Sequence, residues 1–173
     1  MLIAMAGLPG TGKSTLAQSI AQAVSGIVLN KDIVRAALFP PDLIEYSTEQ
    51  DDFCMSILFQ VATYMLQKNP QQYTILDGRT FSRHYQVRAI VELAEQLQTP
   101  LKVIECVCSD ETAYKRLAKT TSDAHPADNR DYTLYLTIKA RFEPIHEPKL
   151  VVNTDLDFDH CLEECLAYIQ EQQ

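Results

Sequence analysis

The chain has 173 residues, of which 46% are hydrophobic and 22% are charged. This composition predicts one folded domain over 1–173 and excludes a disordered or low-complexity chain. Fifteen lysines and arginines against 23 aspartates and glutamates give a formal net charge of −8, so the protein as a whole is expected to repel nucleic acid and anionic membranes. The apolar opening at 1–6 is too short for a signal peptide or a membrane span, which predicts a cytoplasmic protein.

Strand and helix patterns alternate along the chain. Short continuous apolar runs predict strands buried on both faces, and apolar residues three or four positions apart predict helices. In chain order the predicted elements are a strand at 2–6, a helix at 13–24, a strand at 27–30, a helix at 32–38, a long helix reaching 68 after a cap at Ser47, a strand at 73–77, a helix capped by Ser82 and ending before Pro100, a strand at 101–107, helices at 110–118 and 132–142, a strand at 150–153 and a helix at 158–169. This alternation predicts an α/β fold with a parallel sheet and with ligands at the carboxyl ends of its five strands.

A glycine-rich segment carries the strongest functional signal. Residues 7–15, GLPGTGKST, match the pattern G-x-x-x-x-G-K-[ST] between a predicted strand and a predicted helix. Glycines there let backbone N–H groups surround a phosphate, and the helix N-terminus adds positive potential. Lys13 is expected to reach the β- and γ-phosphates, and Ser14 to hold Mg²⁺. The candidate nucleotide-binding residues of this segment are Gly7, Leu8, Pro9, Gly10, Thr11, Gly12, Lys13, Ser14 and Thr15.

The residues after the second predicted strand separate the protein classes that use such a loop. Asn30, Lys31 and Asp32 resemble the guanine-reading pattern Asn-Lys-x-Asp, but the aspartate comes one place too early, which disfavours a GTPase. Asp32 lies where an acceptor would bind, and Arg35 follows one helical turn later on the same face. A carboxylate there would act as general base toward a hydroxyl, and an arginine would hold an anionic group. The alternative is that Asp32 only caps the helix and Arg35 is a solvated surface residue.

Another acidic residue ends the third predicted strand. Asp77 occupies a position typical of a carboxylate that holds Mg²⁺ directly or through another ligand. Arg79 and Arg83 follow at once and predict a positive zone for an anionic substrate within a negative protein. Ordinary helix-surface charge is the alternative for both arginines.

A polar stretch follows Arg116 and predicts a lid at about 117–131. A closing lid excludes water from the transfer, and its cations neutralise charge in the transition state. Arg116 is the first candidate for such a cation, and Lys119 and Arg130 are the others. A plain solvated charge is the alternative for each of them.

Together these segments resemble small kinases with an AAA-type phosphate loop, relatives of polynucleotide 5′-kinase, gluconate kinase, chloramphenicol phosphotransferase and the zeta-toxin kinases. The resemblance covers nearly the whole chain. Its motifs are GLPGTGKST at 7–15, LNKDIVRAALF at 29–39, ILDGRTFSR at 75–83, Lys115-Arg116-Leu117, KARFEPI at 139–145 and LVVNTD at 150–155.

The resemblance implies a three-layer, adenylate-kinase-like P-loop NTPase fold with strand order 2-3-1-4-5. It also implies ATP and Mg²⁺ as cofactors, with Asp32 at the general-base position and Arg35 at the position that binds a substrate phosphate. The loop after the last strand would bring Asn153 and Thr154 close to the adenine.

The predicted function is therefore transfer of the γ-phosphate of ATP to a hydroxyl of a small molecule: a sugar, a nucleoside, an antibiotic or a sugar nucleotide. The insertion at 40–59, with Tyr46, Phe53 and Phe59, is expected to line the acceptor pocket, although core packing is the favoured single role for Phe53 and Phe59. Two alternatives stay open. One is an ATP-gated regulatory or binding module with weak ATPase activity; the other is a polynucleotide 5′-hydroxyl kinase, which the net charge disfavours.

Overall fold

Strands and helices alternate in the folded chain as the sequence predicts. The computed structural model describes residues 1–119 and 131–171. The elements in this part of the chain are β1 (Leu2–Ala6), α1 (Lys13–Ala23), β2 (Ile27–Asn30), α2 (Lys31–Leu38), α3 (Thr48–Lys68), β3 (Thr74–Asp77), α4 (His84–Gln96), β4 (Leu101–Val107), α5 (Asp110–Lys119), α6 (Tyr132–Ala140), β5 (Lys149–Asn153) and α7 (Phe158–Gln170), with a short 3₁₀ turn at Pro41–Leu43.

The five strands form one parallel sheet in the order β2-β3-β1-β4-β5, which confirms the predicted order. β1 lies at its centre, and its side chains alternate between two apolar clusters. Leu2, Ala4 and Ala6 pack with α3 and α4, whereas Ile3 and Met5 pack with α1 and α7. Burial on both faces explains why the strand is apolar without interruption. The result is a three-layer α/β fold.

The parallel register brings the polar ends of β2 and β3 together. Asn30 lies opposite Asp77, and its Nδ2 donates to the Asp77 Oδ2 at 2.7 Å. The Asn30 Oδ1 accepts from the backbone N–H groups of Asp32 and Ile33 at 2.9 and 3.1 Å. Asn30 is therefore the cap of α2, and the alternative in which the Asp32 side chain only caps this helix is wrong.

The two caps predicted for later helices had different outcomes. Ser47 caps α3 by accepting from the Gln50 N–H at 3.1 Å, as predicted. The predicted cap at Ser82 is wrong, because α4 begins at His84 and its first N–H donates to the Glu143 carboxylate at 2.7 Å. A carboxylate binds the positive end of a helix more strongly than a hydroxyl does. It comes from a distant part of the chain, which no local pattern reveals.

Candidate active site

The phosphate loop joins β1 to α1 at the centre of the sheet edge. Its lysine folds over the loop: the Lys13 Nζ donates to the carbonyl oxygens of Gly7 and Leu8 at 2.8 and 2.6 Å. The Thr11 hydroxyl donates to the Leu8 carbonyl at 2.8 Å. These bonds give the loop its shape, and they hold a buried ammonium group where the phosphates of a nucleotide would bind.

The loop requires glycine for steric reasons that stability measurements can test. A Cβ at Gly7 would lie 2.2 Å from the Cys106 carbonyl oxygen, and the φ of Gly7 is +125°. We expect Gly7→Ala to lower the free energy of unfolding by about 3 kcal/mol or more. Gly12→Ala is the matched control, because the nearest non-neighbouring atom of the described chain would be the Arg116 Nη1, at 3.6 Å from the new Cβ, although the φ of Gly12 is +84°. This variant should cost only about 1–2 kcal/mol. Urea unfolding measures the free energy of unfolding of both variants. Equal losses in the two variants would contradict the steric explanation for Gly7.

A cavity of about 140 Å³ opens beside the loop, toward β2 and β3. It brings together the predicted residues Lys13, Ser14, Asp32, Arg35 and Arg79. The lining side chains that the sequence analysis did not assign are Lys31, Thr48, Asp51, Thr80, Gln86, Leu134, Ile138 and Arg141. The cavity therefore joins the phosphate loop to the predicted acceptor side.

A buried ionic cluster surrounds Asp32. Its Oδ1 accepts from the Arg35 Nη1 at 2.9 Å and lies 3.3 Å from the Lys31 Nζ. Both cations also contact Asp51. The Asp32 Oδ2 has no partner in the described ranges 1–119 and 131–171. Only 2% of Arg35 is exposed, so the alternative of a solvated surface arginine is wrong.

Lys31 was missed by the sequence analysis, although it stands in a quoted motif. Burial lowers the pKa of Lys31 from 10.5 to about 8; the Asp32 carboxylate raises this pKa and the Arg35 guanidinium lowers it further. The sequence did contain a signal for a role of this lysine in the site, namely its position directly before the predicted base.

The pKa of Lys31 predicts a pH-dependent stability. Below pH 8 Lys31 is protonated in both states, and the cost of burying its charge is fully present. Between pH 8 and 10.5 the unfolded chain binds a proton that the folded chain has lost, so stability rises with pH. We expect the unfolding free energy of the wild type to rise by about 2–4 kcal/mol relative to Lys31→Met across this window. Urea unfolding at both pH values measures it. Lys115→Met removes an exposed lysine, and its unfolding free energy should change with pH as that of the wild type does. If the wild type and Lys31→Met showed the same change with pH, the prediction would be contradicted.

The two arginines after β3 have different surroundings. Arg79 is 5% exposed and lines the cavity, where its Nη2 contacts the Asp52 carboxylate and the Tyr85 hydroxyl. Surface charge is therefore the wrong interpretation of Arg79. Arg83 is half-buried, does not line the cavity and pairs with Glu143 at 2.9 Å. Of these two arginines, the geometry thus brings only Arg79 to the predicted acceptor side.

The predicted acceptor insertion divides in the same way. Tyr46 lines the cavity, and its ring lies against the Arg35 guanidinium at 4.9 Å. Phe53 is exposed and contacts Phe39 edge to face, whereas Phe59 packs on the apolar core. Of the three aromatic residues, only Tyr46 faces the acceptor side.

A second cavity of about 430 Å³ lies on the other side of the loop, toward α5 and β5. The Arg116 Nη1 donates to the Gly10 carbonyl at 3.3 Å and to the Thr154 hydroxyl at 2.9 Å. Thr154 lines this cavity and Asn153 does not. The apolar wall includes Leu156 and Phe158, which the sequence analysis missed. The signal available in the sequence was the presence of two large apolar side chains three and five residues after the end of the last predicted strand.

The predicted lid lies largely outside the described residues. Its positions 120–130, with Arg130, are not among them. Lys119 is the exposed last residue of α5.

The predicted magnesium residues lie at different depths. Ser14 lines both cavities. Asp77 is 1% exposed, and its Oδ1 is a buried acceptor without a hydrogen-bond partner in the described chain. An unsatisfied carboxylate oxygen suits a cation or a water bound to one. Among the described residues no group of three or more His, Cys, Asp or Glu side chains could hold a metal.

No helix in the described ranges is both long and apolar enough to cross a membrane.

Comparisons with known proteins agree with this architecture. A family model described as an AAA domain matches residues 2–145. Among curated proteins no sequence matches the chain.

Solved structures with a similar fold include two kinases. A gluconokinase from Sinorhizobium meliloti is 15% identical over 96% of this chain and 90% of its own, with a TM-score of 0.71. The Mycobacterium tuberculosis APS kinase CysC, solved with AMPPNP and APS, is 15% identical over 98% and 97%, with a TM-score of 0.73. Kti12 from Chaetomium thermophilum, solved with ADP-AlF3, is 15% identical over 99% and 100%, with a TM-score of 0.67. At such identities the likeness shows the shared fold.

Proposed function

This chain belongs to the AAA domain family, and from that premise we propose that it transfers the γ-phosphoryl group of ATP to a hydroxyl of a small-molecule acceptor. One observation carries the proposal. Asp32 is buried, with one oxygen held by two cations and the other without a partner in the described chain, and it shares a cavity with Lys13 and Ser14 of the phosphate loop. The fold shared with a gluconokinase and an APS kinase supports the same reaction class.

In this proposal the nucleotide occupies the phosphate loop and the larger cavity. The backbone of 7–15 binds the phosphates, and Lys13 turns from its carbonyl partners to the β- and γ-phosphates. Arg116 is close enough to the loop to neutralise charge as the phosphoryl group moves. Thr154 and Phe158 line the part of this cavity that would take the adenine, and Asn153, which directly precedes Thr154 in the chain, is kept as a further candidate contact.

The acceptor occupies the smaller cavity in this proposal. The Asp32 Oδ2 accepts a hydrogen bond from the acceptor hydroxyl and takes its proton during the attack. A bond forms between the hydroxyl oxygen and the γ-phosphorus. The bond from that phosphorus to the β,γ-bridging oxygen breaks, and its electron pair leaves with ADP. Lys31 and Arg35 hold the other Asp32 oxygen and orient the carboxylate.

The residues present fit Mg²⁺ as the cation of this reaction. The Ser14 hydroxyl would hold it beside the phosphates. Asp77 would hold it, or a water bound to it, through the Oδ1 that has no hydrogen-bond partner among the described residues. When bound, the ion neutralises phosphate charge. We further propose that 1–173 acts as one kinase domain with a lid at about 117–131.

Acceptor-dependent formation of ADP tests the proposal. The purified protein is given Mg·ATP with sugars, nucleosides, aminoglycosides, chloramphenicol or a 5′-hydroxyl oligonucleotide, and phosphorylated product is identified by mass. One acceptor class should raise ADP formation well above the rate without acceptor. A best rate with the oligonucleotide would favour the polynucleotide kinase, and tight ATP binding without acceleration would favour the ATP-gated module.

A further inference from the structure

The acceptor cavity contains more positive than negative side chains. Five cations and two carboxylates among the described residues line it: Lys13, Lys31, Arg35, Arg79 and Arg141 against Asp32 and Asp51. The chain as a whole has a formal charge of −8. A positive cavity in an acidic protein attracts anions selectively.

The nucleotide does not account for this excess. The larger cavity, where we place the nucleotide, has its own cations in Lys13 and Arg116. Lys31, Arg35 and Arg79 follow β2 and β3, on the other side of the loop from α5 and β5. Since these three residues line the smaller cavity and not the larger one, their charge is available to a ligand in the smaller cavity.

Ion pairs balance most of the cations that line the cavity, but they do not balance Arg141. Lys31 and Arg35 are balanced by Asp32 and Asp51. Arg141 is exposed and has no ion-pair partner in the described ranges 1–119 and 131–171.

Arg79 differs from Arg141 because it is buried and paired. Its partner Asp52 has a side chain that is 44% exposed. The Arg79 Nε is a buried donor without a hydrogen-bond partner in the described chain. An unsatisfied buried donor costs free energy, which a bound oxyanion would recover.

We propose that the acceptor is a hydroxyl compound that also carries an anionic group, a phosphate, sulfate or carboxylate, and that Arg79 and Arg141 bind this group. The proposal rests on the proposed function and names its substrate class. The planar guanidinium groups suit oxyanions because they can donate two parallel hydrogen bonds.

Sulfate is the first probe, because its binding needs no turnover. Protein saturated with Mg·AMPPNP is titrated with sodium sulfate by calorimetry at constant ionic strength. Saturable binding is expected, and Arg141→Gln should weaken it about tenfold or more. Arg79→Gln should weaken it similarly, with thermal unfolding as the check on its fold. Arg88→Gln is the matched control, since Arg88 is exposed and lies outside the cavity.

The sulfate titration can overturn the proposal independently of the reaction. No saturable sulfate binding, or equal affinity in Arg141→Gln and Arg88→Gln, would mean that these cations do not form an anion site. Sulfate binding that the arginine variants weaken, without transfer to any acceptor, would support the site and count against the proposed function.

Matched neutral and anionic acceptors then test which kind of compound carries the anionic group. Glucose is compared with glucose 6-phosphate and gluconate, and adenosine with adenosine 5′-monophosphate, by kcat/KM for transfer from ATP. The anionic member of a set should be preferred at least about tenfold, and Arg141→Gln should remove the preference. A preferred neutral member would overturn the anionic acceptor while leaving the kinase in place.

Discussion

Replacement of Asp32 by asparagine is expected to lower kcat for phosphoryl transfer by about 10²- to 10⁴-fold. Asparagine keeps the shape of the side chain, and its oxygen can still accept from Arg35, but it cannot take the proton of the acceptor hydroxyl. The Kd for Mg·ATP should change little, because Asp32 lies in the smaller cavity and not in the larger one. Single-turnover transfer and calorimetric titration with AMPPNP measure the two quantities.

The control for this variant is Asp159→Asn, which alters an exposed aspartate in the first turn of α7. It should transfer phosphate at the wild-type rate. Thermal unfolding of Asp32→Asn tests whether the ionic cluster still folds, since Lys31 and Arg35 keep Asp51 as a partner. A folded Asp32→Asn variant with near wild-type kcat would remove Asp32 from the role of base.

Lys13→Met is expected to reduce transfer by about 10²- to 10³-fold and to weaken ATP binding. Lys13 is only 7% exposed, and its ammonium group lies 2.8 and 2.6 Å from two backbone carbonyl oxygens of the loop. Methionine fills a similar volume without the charge, so the loop loses its cation for the β- and γ-phosphates. The Kd should rise more for ATP than for ADP, because ADP lacks the γ-phosphate.

The comparison for Lys13→Met is Lys115→Met, an exposed lysine that pairs with Glu111 on α5. This variant should bind ATP and transfer phosphate as the wild type does. If Lys13→Met also kept its ATP affinity and its rate, 7–15 would not act as a phosphate-binding loop.

Local sequence patterns predicted the elements and their order well. The strand β1 and the start of α1 at Lys13 fall where the apolar run and the glycine loop predict them. Asp32 and Arg35 are neighbours because they are one helical turn apart, which the spacing already indicates. Such features depend on residues close in the chain, so their physics is visible in the sequence.

Contacts between distant segments were not predictable in this way. Glu143 replaces Ser82 as the cap of α4, and Asp51 joins the ionic cluster from α3. Arg79 and Arg83 look alike in the sequence, but of the two only Arg79 lines the smaller cavity.

The sequence by itself determined the order of strands and helices and the position of the phosphate loop. It also led to the hypothesis that Asp32 is the general base. The tertiary structure alone decided which cations are buried, which of them have carboxylate partners and which cavity each one lines. The physical reason is that periodicity and turn chemistry act over a few residues, whereas desolvation and ion pairing depend on neighbours that only packing brings together.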